Sequence, residues 1–345
     1  MRVPPARFDP EPLKGKRRAS WSIFLCNEHE RKEKEARDSL VWSEQVNEAY
    51  RGIHPSFGGQ ANSPDCYRQM ASAVNRETLV KDGTAASAFL QRFGPWALVT
   101  GASSGIGAEF ARQLAGRGFN LVLVARRKQR LDDLAQRLNA DTKSQIKVIA
   151  VDLSHPDFLQ VILDETDSIE VNLLVNNAGF GLAGKFIEHE MERELDLLNV
   201  NCRAPLLLSH VFARQMASRK RGGIIIVSSV SGYLATPYEA TYAASKVYEL
   251  FLAESLSYEL RNDGIDVLAL CPGSTDTEFH HLAGSPAVAA MAVKPVVHAA
   301  LQKLGKKPVT IPGWHNRLLV GLLKLTPRRL HTVFAGRVMP NLITR

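Results

Sequence analysis

Four cysteines in 345 residues, Cys26, Cys66, Cys202 and Cys271, are too few and too scattered for a disulfide scaffold. None forms a C-x-x-C pair and none stands at zinc-ligand spacing to a histidine pair, so no metal site is expected and a reduced, cytoplasmic setting is. Long apolar runs are missing too: no stretch approaches the roughly eighteen residues of a spanning helix. The basic N-terminus is followed by an apolar run, near residues 21–26, that is too short and too polar for a secretory segment. Acid is missing from one end altogether. After Glu278 there is no Asp or Glu, while ten Lys or Arg follow. The net charge of +8 is therefore uneven. Such asymmetry suits an acidic partner, whether nucleic acid, anionic membrane or a phosphate-bearing substrate; the plainer alternative is a solvated basic helix face.

What is present divides at about residue 90. Residues 1–90 mix charge runs (EHERKEKEARD) and turn residues (HPSFGGQANSPD) with few aliphatics and no sustained period. They bury too little apolar surface to offset ordering, so a disordered N-terminal extension is expected, with a short helix near 28–50. From Trp96 onward seven short apolar runs appear: WALVT, NLVLVA, KVIAVD, VNLLVN, GIIIVSS, IDVLALC and PVTIP. Amphipathic segments at 104–117, 128–140, 156–166, 190–218, 238–262 and 286–304 separate them. Continuous apolarity marks strands buried on both faces, and strand–helix alternation builds βαβ units. The expected fold is α/β: a Rossmann-type doubly wound, seven-stranded parallel sheet with helices on both faces, over residues 91–312. Residues 313–345 read as a basic amphipathic helical tail, in which Leu318, Leu319, Leu322 and Leu323 alternate with Arg317, Lys324 and Arg328.

The first strand runs into TGASSGIG, which carries Thr100, Gly101, Ser103, Ser104, Gly105, Ile106 and Gly107. Strand, glycine-rich turn and helix start is the context in which such a motif binds a dinucleotide. Glycines let the backbone approach a pyrophosphate, and the helix N-terminus presents free N–H groups. A second match, GFGLAG at 179–184, follows the fourth strand with no prompt helix and reads as a loop. The second strand ends with Ala125, where an NAD-selective site usually has an acid for the ribose 2′-hydroxyl. Arg126 and Arg127 come next, and a guanidinium suits a 2′-phosphate, so the cofactor expected is NADP(H). Asp152, ending the third strand, is placed to accept from the adenine amine.

Tyr242 and Lys246 in YAASK lie one helical turn apart, so a phenol and an ammonium share a face if the segment is helical. Alone, Y-x-x-x-K says little. Here five motifs stand in order: TGxxxGIG at 100–107, NNAG at 176–179, a Ser after the fifth strand, YxxxK at 242–246 and PG at 272–273. This pattern resembles the short-chain dehydrogenase/reductase family in its single-domain branch, over roughly residues 93–312, and is similar to that of bacterial 3-oxoacyl and steroid-type reductases. The resemblance implies that Tyr242 is the general acid or base at the carbonyl oxygen. A free phenol, with a pKa of about 10, needs its ionised form stabilised, and Lys246 one turn away, with the nicotinamide's own positive charge, is placed to do so. It also implies that Lys246 holds the nicotinamide ribose. By the family's spacing, Ser229 rather than Ser228 or Ser231 stabilises the developing charge, and Asn201 rather than Asn199 supports a proton-relay water. Asn176 would tie the sheet together; Asn177, Ala178 and Gly179 would line the cofactor floor. Pro272, Gly273 and Thr277 would fold over the nicotinamide carboxamide, and His280 and His281 would belong to a substrate loop at about 275–290.

That loop, TDTEFHHLAGSPAVAAM, is mostly small and apolar, which suits a greasy or bulky carbonyl compound. The expected activity is NADP(H)-dependent interconversion of a carbonyl and an alcohol on an apolar or acyl-type substrate, an acyl thioester among them. The alternative is a non-catalytic NADP-binding sensor or scaffold, against which intact Asn201, Ser229, Tyr242 and Lys246 argue. A homodimer or homotetramer is expected, although the added basic tail departs from the family pattern. The tail permits peripheral contact with the inner face of a membrane or docking of an acyl carrier; nucleic acid is not expected as a partner.

Overall fold

A computed structural model describes residues 86–284 and 290–343, the side chains up to residue 340. The expected extension lies outside the described residues from 1 to 85. Residues 86–90, which sequence composition assigned to it, are helical, and Phe89 and Leu90 pack on the core. The Phe89 ring stands 4.7 Å from Phe93 and 5.8 Å from Phe119, so the folded region starts before residue 90.

Seven strands form: β1 (Trp96–Thr100), β2 (Asn120–Ala125), β3 (Ile146–Ala150), β4 (Val171–Asn176), β5 (Gly222–Val227), β6 (Ile265–Leu270) and β7 (Val309–Thr310). They pair in parallel in the order β3-β2-β1-β4-β5-β6-β7. Every residue of β4 and β5 is buried, Asn172 and Asn176 included, as in strands covered on both faces. Successive strand residues feed opposite faces. Ala97, Val99, Leu121 and Leu123 join a cluster with Phe110 and Leu114 of α1 (Gly105–Ala115), Leu131 and Leu134 of α2 (Lys128–Asp141) and Val296 and Val297 of α8 (Val293–Lys303). Leu98, Val122 and Val124 join the other, with Phe158 and Ile162 of α3 (Phe158–Thr166), Leu208 and Phe212 of α5 (Ala204–Ser218) and Leu250 of α6 (Ala240–Glu259). Each such side chain contributes about 1.5–3 kcal/mol by leaving water.

The expected helix at 190–218 is interrupted. It comprises α4 (Met191–Leu198), a π-helical turn (Asn199–Arg203) and α5. Three further helices complete the order: α7 (Phe279–Ala283), and beyond β7 the tail, which is a pair, α9 (Trp314–Leu325) and α10 (Arg328–Ile343). Pro327, which cannot donate a backbone hydrogen bond, stands between them. Among the described residues no helix is long and apolar enough to cross a membrane.

Strand order reverses between β1 and β4. The connections after them leave toward opposite faces and open a crevice at the strands' carboxyl ends, where open α/β sheets bind ligands.

Candidate active site

A cleft of about 590 Å³ occupies that crevice. Its first wall is the glycine turn. Gly101 has φ +66°, and a Cβ there would lie 2.8 Å from Asn177 Nδ2 and 2.9 Å from the Ala178 Cα. Gly105 has φ +54°, with Thr277 Cγ2 3.0 Å from where its Cβ would be. Gly107 does not line the cleft; it lies beneath the turn, where a Cβ would overlap the Gly101 carbonyl. Ser103, Ser104 and Ile106 do line it. Ser104 precedes α1 and its side chain makes no capping hydrogen bond to the helix, which leaves first-turn N–H groups for an anion. Thr100 closes the floor: its Oγ1 accepts from the backbone N of Asn177 (2.9 Å) and Ala178 (3.0 Å), and Asn177 Nδ2 donates to the Thr100 carbonyl (2.8 Å). A cradle that side chains would fill, ending on an uncapped helix, fits a dinucleotide pyrophosphate.

At one end, Ala125 is buried and Arg126 is 65% exposed, with Asp152 3.7 Å away. Partial burial alone would raise Asp152. Hydrogen bonds from the Ser154 backbone and hydroxyl, together with Arg126, instead hold its carboxyl below the ordinary value. Arg127 turns inward: Nη2 donates to Ser103 Oγ (3.0 Å) and Ser104 Oγ (2.8 Å), and Nη1 to Glu278 (2.8 Å). Arg130 also donates to Glu278 (2.6 Å). Hydrogen bonds from Arg127 and Arg130 lower the Glu278 carboxyl.

At the other end, Tyr242 and Lys246 lie one turn apart on α6, both buried, with the Lys246 Nζ 5.6 Å from the phenol ring centroid. Ser229 lies near enough to Tyr242 to lower its phenol, and its Oγ accepts from Ser231 N (3.1 Å), whereas Ser228 donates to the Lys246 carbonyl (2.7 Å). Asn176 donates to Ser209 Oγ (3.0 Å), linking β4 to α5. Asn201, on the π turn, does not line the cleft. It is fully buried, accepts from Phe180 N (3.1 Å) and donates to Phe180 O (3.0 Å) and Ser245 Oγ (3.0 Å). It thereby holds the loop that follows Gly179.

The chain's own groups hold the Tyr242 phenol above its ordinary value. Burial, the largest influence, raises it; Lys246 and Ser229 pull it down; Glu249 and Glu239 push it up again. Glu249 is the residue that sequence reasoning missed. Its Oε2 lies 2.7 Å from Lys246 Nζ, which also donates to the Val227 carbonyl (3.0 Å). Burial pushes the Glu249 carboxyl up to about 7 against the pull of Lys246. Lys246 is raised: burial alone would lower it, and Glu249, with Tyr242, outweighs that.

Pro272, Gly273 and Thr277 line the remaining wall. Asn316 of α9 is packed so closely under Gly273 that a Cβ there would collide with it. Phe279 stacks tilted on Tyr242, with ring centroids 5.4 Å apart. His280 faces the cleft and bonds Ser274 Oγ (3.0 Å), while His281 is exposed and away from it. Glu239, pushed up to about 7 by burial, and Met339 of α10 also line the cleft. Among the described residues no three His, Cys, Asp or Glu side chains cluster as metal ligands would.

A family model described as short chain dehydrogenase matches residues 95–286. A 7beta-hydroxysteroid dehydrogenase of Clostridium sardiniense is 32% identical over 233 residues, 66% of this chain and 89% of that one. A very-long-chain 3-oxoacyl-CoA reductase of Pyricularia oryzae is 39% identical over 179 residues, 50% of this chain and 54% of that one. Among solved structures, a short-chain dehydrogenase from Sphingobium yanoikuyae in complex with NADPH superposes with a TM-score of 0.61 at 33% identity, covering 68% of this chain and 97% of that one.

Proposed function

The chain belongs to the short-chain dehydrogenase family and is an oxidoreductase acting on CH–OH groups with NAD(P), and from that premise we propose that it reduces the carbonyl of a bulky apolar or acyl-type ketone with NADPH, Tyr242 being the general acid. One observation carries this: Ser229, Tyr242 and Lys246 converge in the same cleft that begins at the glycine cradle. When bound, the cofactor supplies the hydride. Gly101, Gly105 and the start of α1 would hold its pyrophosphate. Arg126, exposed and without an acid at position 125, would take a 2′-phosphate.

Ser229 donates to the carbonyl oxygen and stabilises charge as it develops. The Tyr242 hydroxyl delivers its proton to that oxygen. Lys246 would hold ribose hydroxyls with the donor left over from Val227 and Glu249. Both N–H groups of Asn201 are committed, but its oxygen keeps one lone pair, enough to hold a relay water. Phe279, Leu282 and Met339 give the substrate side its apolar walls.

NADPH oxidation across ketosteroids, 3-oxoacyl thioesters and simple aldehydes tests the reading, with turnover expected on at least one bulky ketone. Tyr242→Phe should lower that turnover by about 10²–10⁴-fold while NADPH binding stays within a factor of a few. Undiminished activity would remove Tyr242 from the mechanism.

Two surfaces extend the proposal. Leu195, Leu198, Leu206 and Phe251 of α4, α5 and α6 are exposed, and a homodimer or homotetramer would cover them. Along the tail Trp314, Leu318, Leu322, Leu325, Leu330 and Phe334 are exposed beside Arg317, Lys324, Arg328 and Arg329. An acid-free helix pair with that composition suits the surface of an anionic bilayer. Co-sedimentation with phosphatidylserine vesicles should fall at least tenfold when Leu318 and Leu322 are both changed to Glu; equal binding by the variant would dismiss the membrane contact.

A further inference from the structure

We propose that Glu249 is a positioning residue for the reaction: it anchors Lys246 beneath Tyr242, and its charge sets the pH at which the Tyr242–Lys246 pair gives up a proton. The proposal rests on the reading of Tyr242 as general acid. Tyr242, Lys246 and Glu249 stand at i, i+4 and i+7, on one face of α6. Lys246 and Glu249 are 4% and 2% exposed, and their charged atoms are 2.7 Å apart. An ammonium has three donors. Val227 O and Glu249 Oε2 take two in fixed directions, and the third is left on the side of Gly179, whose Cβ would lie 3.4 Å from Nζ. The anchor thus determines where Lys246 points.

Fold stability does not explain a carboxylate at this position. A buried ion pair is commonly no more stabilising than apolar side chains of similar size, and Leu250 and Ala253 show that α6 buries such residues nearby. A lysine that must stay protonated out of water does explain it, because burial alone favours the neutral amine.

The groups that face Glu249 are Lys246 and Tyr242 on its own helix, Cys202 on the π turn and Cys271 after β6. Burial pushes the two thiols up to about 11 and about 12, so they are neutral near pH 7 and add no negative charge of their own to the carboxylate's field on the Tyr–Lys pair. Removing that negative charge makes a proton easier to lose from the phenol and from the ammonium alike. Lys246 keeps its hydrogen bond to the Val227 carbonyl, so the ammonium stays in place and it is the phenol that gives up its proton at lower pH.

Tyrosinate absorbance tests this in the full chain, with and without NADP⁺, each protein being read against its Tyr242→Phe counterpart so that only Tyr242 is followed. In Glu249→Gln the midpoint should fall by about one pH unit, while Glu249→Asp, which keeps the charge, should titrate close to the parent. Glu249→Leu, apolar and of similar size, replaces the Gln variant if melting shows that variant unfolded, and the same fall is expected. Coincident midpoints in the parent and the neutral variant would overturn the proposal, because a merely structural Glu249 would move melting and not this titration. The readout needs no turnover, so a failed carbonyl screen would leave it standing.

Discussion

At the chemical end of the cleft three ionisable side chains, Tyr242, Lys246 and Glu249, are sealed from water; at the opposite end Arg126, Arg127, Arg130 and Glu278 are open to it. The same elementary interaction has different consequences in the two places. In the buried set, charge acts through a weakly screening medium, partners are few, and each group's protonation depends on the others. In the exposed set, the partners can be exchanged at little cost, and salt weakens them. The first arrangement suits a proton that must move at a defined moment. The second suits an incoming phosphate, which replaces the carboxylate partner of an arginine without leaving a buried charge behind.

The contrast is broken most severely from the buried side. Lys246→Met should abolish turnover and also destabilise the fold by about 3–5 kcal/mol, because Glu249 is left buried without its partner. Adding Glu249→Leu should recover most of that stability and none of the activity. Chemical denaturation of both variants checks the pair; a double variant no more stable than the single one would show that the two side chains are not coupled.

An exposed guanidinium should behave differently. Arg126→Ala is expected to weaken NADPH by about tenfold or more, leave NADH within about twofold, and leave the melting temperature unchanged. Raising ionic strength should shrink the NADPH loss. Equal weakening of both cofactors would refute the 2′-phosphate role, and fluorescence titration distinguishes the outcomes.

The same division decides how much was legible in the sequence. Gly101, Gly105 and Gly107 are local features: backbone conformation and close approach require glycine at each, so the cradle is readable from eight consecutive letters. Tyr242 and Lys246 are local too, joined by one helical turn. The central strands were legible because both-face burial favours nearly continuous apolar runs, whereas β3 and β7, at the sheet's edges, are only partly buried. Glu249 was not, since a Glu three residues after a Lys looks like an ordinary surface pair until burial is known. Arg130 and Glu278 are 148 residues apart, and no pattern along the chain joins them. The π turn at Asn199–Arg203 adds a residue to the ladder without disturbing composition, so 190–218 read as one helix. Met339 and Asn316 reach the site from a tail that short-range reading treats as an appendage.

Glu239 lies between the two regimes and sharpens the comparison with the smallest effect. It lines the cleft three residues before Tyr242, follows Tyr238 at φ 67°, and shows no ion pair among the described residues. Burial pushes its carboxyl up to about 7, so between the unfolded value of 4.5 and about 7 the folded chain holds a proton that the unfolded chain has released. Stability linked to this group is therefore complete below 4.5 and is lost as pH rises through about 7. Glu239→Gln cannot ionise and should not show that loss. With part of the carboxyl in contact with cleft water, about 1 kcal/mol is expected at pH 8, or a melting temperature about 2–4 °C above the parent, with the two proteins converging near pH 4.5. Scanning calorimetry at the two pH values is sufficient. A constant difference at both would mean that Glu239 already exchanges freely with water, as Glu278 does, and would move it from the buried set to the exposed one.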